Sequence, residues 1–163
     1  MQMRYDCTMM KYTMQDKKDN KIYKVKSLDE ITLKDSDDLF VVKLDGSKLH
    51  TYDEFVATAK AAFQTPTDES MFWLHTPSNP LLCWINDLEW LIGKFERFVL
   101  IIEHWDKALD KETADKKQKI MQSYLQDVCN FWGYEILNIR GNGYLETEYE
   151  INKPREFNIY LVG

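Results

Sequence analysis

The stretch that decides the fold reads Phe98-Val99-Leu100-Ile101-Ile102. Its apolar side chains occupy both alternations of an extended chain and several are β-branched, which is typical of a strand covered on both faces. The sequence therefore predicts that residues 98–102 form a strand in the middle of a sheet. Residues 157–162 predict a last strand, and the nearly continuous apolar run in 38–44 predicts another strand buried on both faces.

The segment after residue 50 carries the signals of a helix. The Thr51 hydroxyl can accept a hydrogen bond from the Glu54 amide while the Glu54 carboxylate reaches back toward the Thr51 amide, which is a capping box. We therefore expect a helix over 52–63. Its core-facing stripe contains Phe55, Ala59, Ala62 and Phe63.

A proline-rich loop and a tryptophan-bearing helix are expected next. Three prolines between residues 64 and 80 predict a long loop. Leu81, Ile85, Leu88 and Ile92 then recur on one helical face, so we expect a helix over 80–92 that ends at Gly93. In that helix, Trp84 and Glu89 face away from the buried stripe.

The remaining segments predict one more helix and two hairpins. An amphipathic pattern predicts a helix over 112–132. Residues 134–139 and 144–151 flank Gly141-Asn142-Gly143 and predict a hairpin, on which Tyr144, Glu146, Glu148 and Glu150 form an acidic stripe. Residues 1–37 predict an added N-terminal hairpin, with strands at 5–14 and 22–26, and residues 38–163 the main domain.

Composition limits the possible partners. A chain of 163 residues can bury about 70% of its unfolded surface in one domain without disulfide or metal staples. Its 21 Lys and Arg against 27 Asp and Glu give a net charge of −6. This charge disfavours direct binding to nucleic acid or to an anionic membrane, and it favours a basic protein partner.

Cysteine and histidine usage predicts no metal and no cofactor. Cys7, Cys83 and Cys129 are odd in number and widely spaced, so neither a disulfide framework nor a zinc site is indicated. The three histidines share no ligand spacing. The amino terminus lacks the basic and apolar regions of a secretory signal, so we expect a cytoplasmic protein.

The order of these segments resembles the barstar family of ribonuclease inhibitors. The resemblance covers residues 38–163 and rests on the Asp45-Gly46 turn, the motif Asp87-Leu88-Glu89-Trp90-Leu91, and the apolar strand that leads into Glu103-His104-Trp105. It implies an α/β fold with a small parallel three-stranded sheet packed by helices. It also implies stoichiometric inhibition of a ribonuclease-like toxin, by an immunity protein that occludes the active site of a basic partner.

The resemblance also implies a set of partner-binding residues. The family places an Asn and two Asp on its inhibitory helix. With the motif that starts at Asp87 held in register, the position of the dominant Asp falls on Cys83 and the earlier one near Asn79, so neither is a carboxylate and the mimicry of phosphate is weakened at two places. Asp127 takes the place of an acidic contact on a later helix. Aromatic and charged residues often dominate such interfaces, and we expect the binding surface to contain Phe72, Trp73, Asn79, Trp84, Asp87, Glu89 and Asp127.

Other functions compete with this interpretation. An enzyme would need paired groups such as Asp87 with Glu89 or His104 with Asp106, but residues two apart on a helix point about 200° from each other, and no GxSxG or phosphate-binding motif is present. We therefore expect no catalytic residues. The open alternatives are a carbohydrate- or peptide-binding module that uses Trp73 and Trp84, or immunity to a toxin that is not a nuclease.

Overall fold

The computed structural model describes residues 11–66, 84–138 and 152–163. Within these residues four strands form one sheet: β1 (Ile22–Val25), β2 (Leu39–Asp45), β3 (Arg97–Glu103) and β4 (Glu156–Val162). Their order is β1-β4-β3-β2, and every neighbouring pair is parallel. The fold is of the α/β class, as predicted, but the expectation of three strands is wrong, because β1 pairs with β4 and adds a fourth.

The helices that we label are α1 (Tyr52–Ala62), α2 (Ala114–Lys119) and α3 (Gln126–Gly133). A π-helical segment, Ile120–Leu125, joins α2 to α3 without a break. This continuous stretch confirms the helix expected over 112–132. In the described parts of the chain, no helix is both long and apolar enough to cross a membrane.

Strand β3 lies in the interior of the sheet, as its sequence predicted. All five residues of 98–102 are buried, and β3 pairs with β4 on one side and β2 on the other. The last strand is also confirmed. The expectation that residues 38–44 are buried on both faces is wrong, because β2 lies at the edge of the sheet and Val41 is 42% exposed.

The two faces of the sheet are covered differently. On the main face, Phe98, Leu100 and Ile102 belong to the large core that includes the buried sides of α1 and α3. On the opposite face, the smaller core consists of Val99, Ile101 and Val162. Ile31 and Leu33 pack over this smaller core from the segment that connects β1 to β2. One face thus depends on a helical layer, and the other on a short connecting segment.

The N-terminal segment joins the sheet through the second of its two expected strands, whereas residues 5–10 of the first expected strand lie outside the described residues. β1 pairs in parallel with β4, while Met14–Asp16 form a 3-10 turn in place of a strand. Asn20 holds this segment in position. Its side-chain amide donates to the carbonyls of Cys129 at 3.2 Å and Arg155 at 2.9 Å, and its oxygen accepts from the Phe157 amide at 2.9 Å. The sheet and the hydrophobic core therefore contain residues from both sides of position 37.

The start of α1 confirms the predicted cap with one change of partner. Thr51 Oγ1 accepts from the Glu54 amide at 3.2 Å, whereas the Glu54 carboxylate accepts from the amide of His50 at 3.0 Å. Phe55, Ala59 and Phe63 are buried, as expected for the stripe.

Two predicted elements take other forms. Within the expected helix over 80–92, only Trp84 and Ile85 of the described residues are helical, and Leu88 has a positive φ of 43°. Consecutive tight turns still bury Leu88, Leu91 and Ile92, because the Trp84 and Leu88 carbonyls each accept from following amides. In place of the strand expected from residue 134, Glu135–Asn138 form a 3-10 helix. The hairpin turn and acidic stripe lie outside the described residues.

Candidate partner-binding surface

Three of the predicted binding residues lie outside the part of the chain that the structure describes. They are Phe72, Trp73 and Asn79. The other four are Trp84, Asp87, Glu89 and Asp127, and the structure places each of them.

Trp84 is a core residue. Its side chain is 1% exposed and its ring lies 5.7 Å from that of Phe63, between centroids. The expectation that Trp84 faces away from the core is therefore wrong. The physical reason is that the helical geometry stops at Ile85, so the face on which Trp84 lies is not set by the spacing to Leu88 and Ile92.

A second tryptophan fixes the same segment to α1. Trp90 is half-buried, and its indole nitrogen donates to the Phe63 carbonyl at 2.8 Å. This bond joins the end of α1 to the turn that carries Glu89. Because the bond is directional and partly shielded from water, it helps to define the position of the neighbouring acidic side chains.

Asp87 and Glu89 form the first of two carboxylate pairs. Burial raises the pKa of Asp87 to about 7, and the negative charge of Glu89 raises it further. Burial also raises the pKa of Glu89. The two charges therefore influence each other, contrary to the angular separation expected from an ideal helix, because the positive φ of Leu88 turns the chain between them.

This first pair has no cation beside it in the described residues. The Lys, Arg and His side chains that lie within 4 Å of a described carboxylate pair with other acids. Asp87 and Glu89 thus combine partial burial with negative charge that the described chain leaves without an ion-pair partner. Such a site is stabilised when a positive group approaches.

Asp127 and Glu135 form the second carboxylate pair. Asp127 lies in the first turn of α3, and burial raises its pKa. Glu135 follows the end of α3; burial raises its pKa first, and the charge of Asp127 raises it further. Sequence reasoning missed Glu135, because the segment resembled a strand whose acidic side chains are usually solvated.

One hydrogen bond connects the two segments that carry these pairs. The indole nitrogen of Trp132, near the end of α3, donates to the Ile85 carbonyl at 2.8 Å and is fully buried. The turn that holds Asp87 is thereby attached to the helix that holds Asp127. We name Asp87, Glu89, Asp127 and Glu135 the acid pairs.

Two histidine–carboxylate pairs occupy the carboxyl ends of β2 and β3. His104 Nδ1 lies 2.9 Å from Asp45 Oδ1, and His50 Nδ1 lies 2.7 Å from Asp110 Oδ1. The pKa of Asp45 is lowered, chiefly by a hydrogen bond from Ser47. His104 therefore pairs with Asp45, whereas the enzyme alternative considered His104 together with Asp106.

The possible metal-ligating side chains of the described residues do not form a cluster. No group of three or more His, Cys, Asp or Glu side chains there is arranged to hold a metal ion. Burial raises the pKa of the Cys129 thiol to about 12, so this cysteine is a poor nucleophile at neutral pH.

Comparison with known proteins gives no relative. No protein family, no curated protein and no solved structure matches this chain.

Proposed function

We propose that this protein is a stoichiometric inhibitor of a basic, ribonuclease-like toxin, acting as a barstar-like immunity protein that occludes the active site of its partner. The observation that carries the proposal is the Asp87–Glu89 pair, whose partly buried carboxylates have raised pKa values and no cationic neighbour among the described residues. No catalytic step is involved.

The energetics of the pair favour a cationic partner. A carboxylate whose pKa is raised by burial and by a like charge is less stable in its ionised form than an isolated one. A Lys or Arg side chain of a partner would relieve this repulsion and form charge-assisted hydrogen bonds. Nuclease active sites that bind phosphate present such cations, and Asp87 and Glu89 would occupy the place of a substrate phosphate.

The whole chain supports the same proposal in two ways. Its net charge of −6 accelerates encounter with a basic protein at low salt. Its parallel α/β sheet also agrees with the class of fold that the barstar resemblance implies.

The test is an inhibition assay against a basic ribonuclease, with the product of the adjacent reading frame as the first candidate. We expect its ribonuclease activity to fall in proportion to added protein and to vanish at a one-to-one ratio. Asp87→Asn should weaken inhibition by about tenfold to 100-fold, because it removes a desolvated charge from the interface. Asp29→Asn, an exposed residue on a 3-10 turn far along the chain, makes the same chemical change and should leave inhibition unaltered.

The assay also separates the competing interpretations. Full ribonuclease activity in the presence of excess protein rejects the proposal. Rescue of cell growth without any effect on RNA cleavage would instead assign immunity to a toxin of another class. Asp127→Asn and Glu135→Gln, measured singly and together, determine whether the second carboxylate pair belongs to the same interface.

A further inference from the structure

A cavity of about 320 Å³ lies between the N-terminal segment and the end of α3. Lys17, Lys18 and Lys21 line it from the N-terminal side together with Met14. Asn130 and Tyr134 line it from the side of α3. This volume is at the lower end of the range for small-molecule sites, which is roughly 300–1,000 Å³.

The walls of this lysine cavity are held in place by backbone contacts. The amide of Lys18 donates to the Gly133 carbonyl at 2.9 Å. The approach is so close that a Cβ atom on Gly133 would lie 2.6 Å from the Lys18 carbonyl oxygen. Asn20, in the same segment, makes the three buried hydrogen bonds described above. The cavity is therefore formed by a segment that is fixed at both of these positions.

The lysine cavity reverses the charge of the molecule locally. Three lysines and one aspartate, Asp19, line it and give the lining a net charge of +2, although the whole chain carries a net charge of −6. Only Lys17 among these three has a carboxylate within 4.0 Å in the described residues, that of the exposed Asp19. A concave surface lined by three lysines is suited to a phosphate, which a lysine ammonium group binds as a point charge.

The other walls suit an apolar or aromatic moiety. The side chain of Tyr134 is 37% exposed and that of Met14 is 56% exposed, so both present apolar surface to a ligand. An aromatic ring stacked on Tyr134 would leave its phosphate near the lysines. We propose that the lysine cavity binds a small phosphate monoester that carries an aromatic ring, a ligand of the size of a mononucleotide.

The test compares three probes on the full chain by NMR titration of the backbone amides. AMP should shift the amides of the segment 17–21 and of the end of α3, with saturation in the millimolar range or below. Adenosine should bind at least about tenfold more weakly, because it lacks the phosphate that the lysines contact. Inorganic phosphate should shift the amides of 17–21 and leave that of Tyr134 nearly unchanged.

Paired variants make the result decisive. Lys18→Gln combined with Lys21→Gln should weaken AMP binding about tenfold. Lys107→Gln combined with Lys111→Gln should not alter it, because both residues are exposed, lie after β3 and do not line the cavity. Circular dichroism should show that both double variants are folded. The proposal is overturned if AMP causes no saturable shift, if AMP and adenosine bind equally, if the shifts map elsewhere, or if both double variants lose the same affinity. None of these outcomes depends on toxin inhibition.

Discussion

At the scale of single residues, Asp87 links the candidate surface to the stability of the fold. Its pKa is about 7 in the folded chain, against an ordinary value near 3.8. The folded state therefore binds more protons than the unfolded state between these values, and stability falls as the pH rises through this window. A pKa shift of this size changes the free energy of unfolding by at most about 4 kcal/mol.

Asp87→Asn should remove this pH dependence. We expect the variant to have a higher free energy of unfolding than the parent chain at pH 8, by about 2–4 kcal/mol, and a nearly equal one at pH 4, because its amide stays neutral. Urea unfolding at a series of pH values measures the difference. Asp29→Asn serves as the exposed control. A difference between Asp87→Asn and the parent chain that is the same at every pH would contradict the assignment of the raised pKa.

The same residue illustrates an opposition between stability and binding. The charge that costs folding free energy at neutral pH is the charge that a cationic partner would use. Asp87→Asn is therefore expected to raise stability while it weakens inhibition. A variant that merely disrupted the fold would lower both, so the two measurements together distinguish a binding role from a structural one.

At the scale of elements, Asn20 connects the segment before β1 to α3 and β4. Asn20→Ala removes three buried hydrogen bonds and should lower the free energy of unfolding by about 2–4 kcal/mol. Asn158→Ala is a matched control, because it deletes a single exposed bond to the Lys21 amide and should cost about 1 kcal/mol or less. Urea unfolding compares the two variants. Equal losses in the free energy of unfolding would show that the three hydrogen bonds of Asn20 stabilise the fold no more than the single bond of Asn158.

The elements also show what the sequence can predict. The sequence predicted β3, β4, α1 and the continuous helical stretch from α2 to α3, because each has a continuous run or a clear period of apolar residues. The helix expected over 80–92 stops at Ile85 in the structure. Leu88 and Leu91 are buried through tight turns instead, and the positive φ of Leu88 leaves no signature in the spacing of apolar residues. β1 was predicted as a strand, but its partner lies far along the chain and local turn residues suggested a hairpin.

The candidate surface was predictable only in part. Asp87, Glu89 and Asp127 were selected with the barstar resemblance, and burial raises the pKa of each of them. The helical period could not predict that Trp84 is buried, because the helix ends at Ile85. Glu135 had no distinguishing signal, because its proximity to Asp127 depends on how the chain leaves α3.

At the scale of the whole molecule, residues 1–37 should be indispensable to the fold. Their removal deletes β1 and uncovers the face of Val99, Ile101 and Val162, because Ile31 and Leu33 are lost. Each exposed apolar side chain costs about 1–3 kcal/mol, and a domain of this size has a total stability of only about 5–15 kcal/mol. We expect residues 38–163 alone to unfold without cooperativity and to bind a hydrophobic dye.

A complementation experiment provides the control for that truncation. A synthetic peptide of residues 11–37, added to residues 38–163, should restore the cooperative thermal transition seen by circular dichroism. The same peptide with Ile31 and Leu33 replaced by Ser should restore it less. A truncated chain that melts like the full chain would show that the N-terminal segment contributes nothing essential.

The pairing of β1 with β4 also governs when the protein can be completed during its synthesis. Ile22 is translated 137 residues before its partner Ile159. Strand β1 therefore has no partner until β4 has been translated, and contacts between such distant positions slow folding. A nascent chain stalled before residue 156 should be sensitive to protease at residues 22–25, and a full-length released chain should be resistant there.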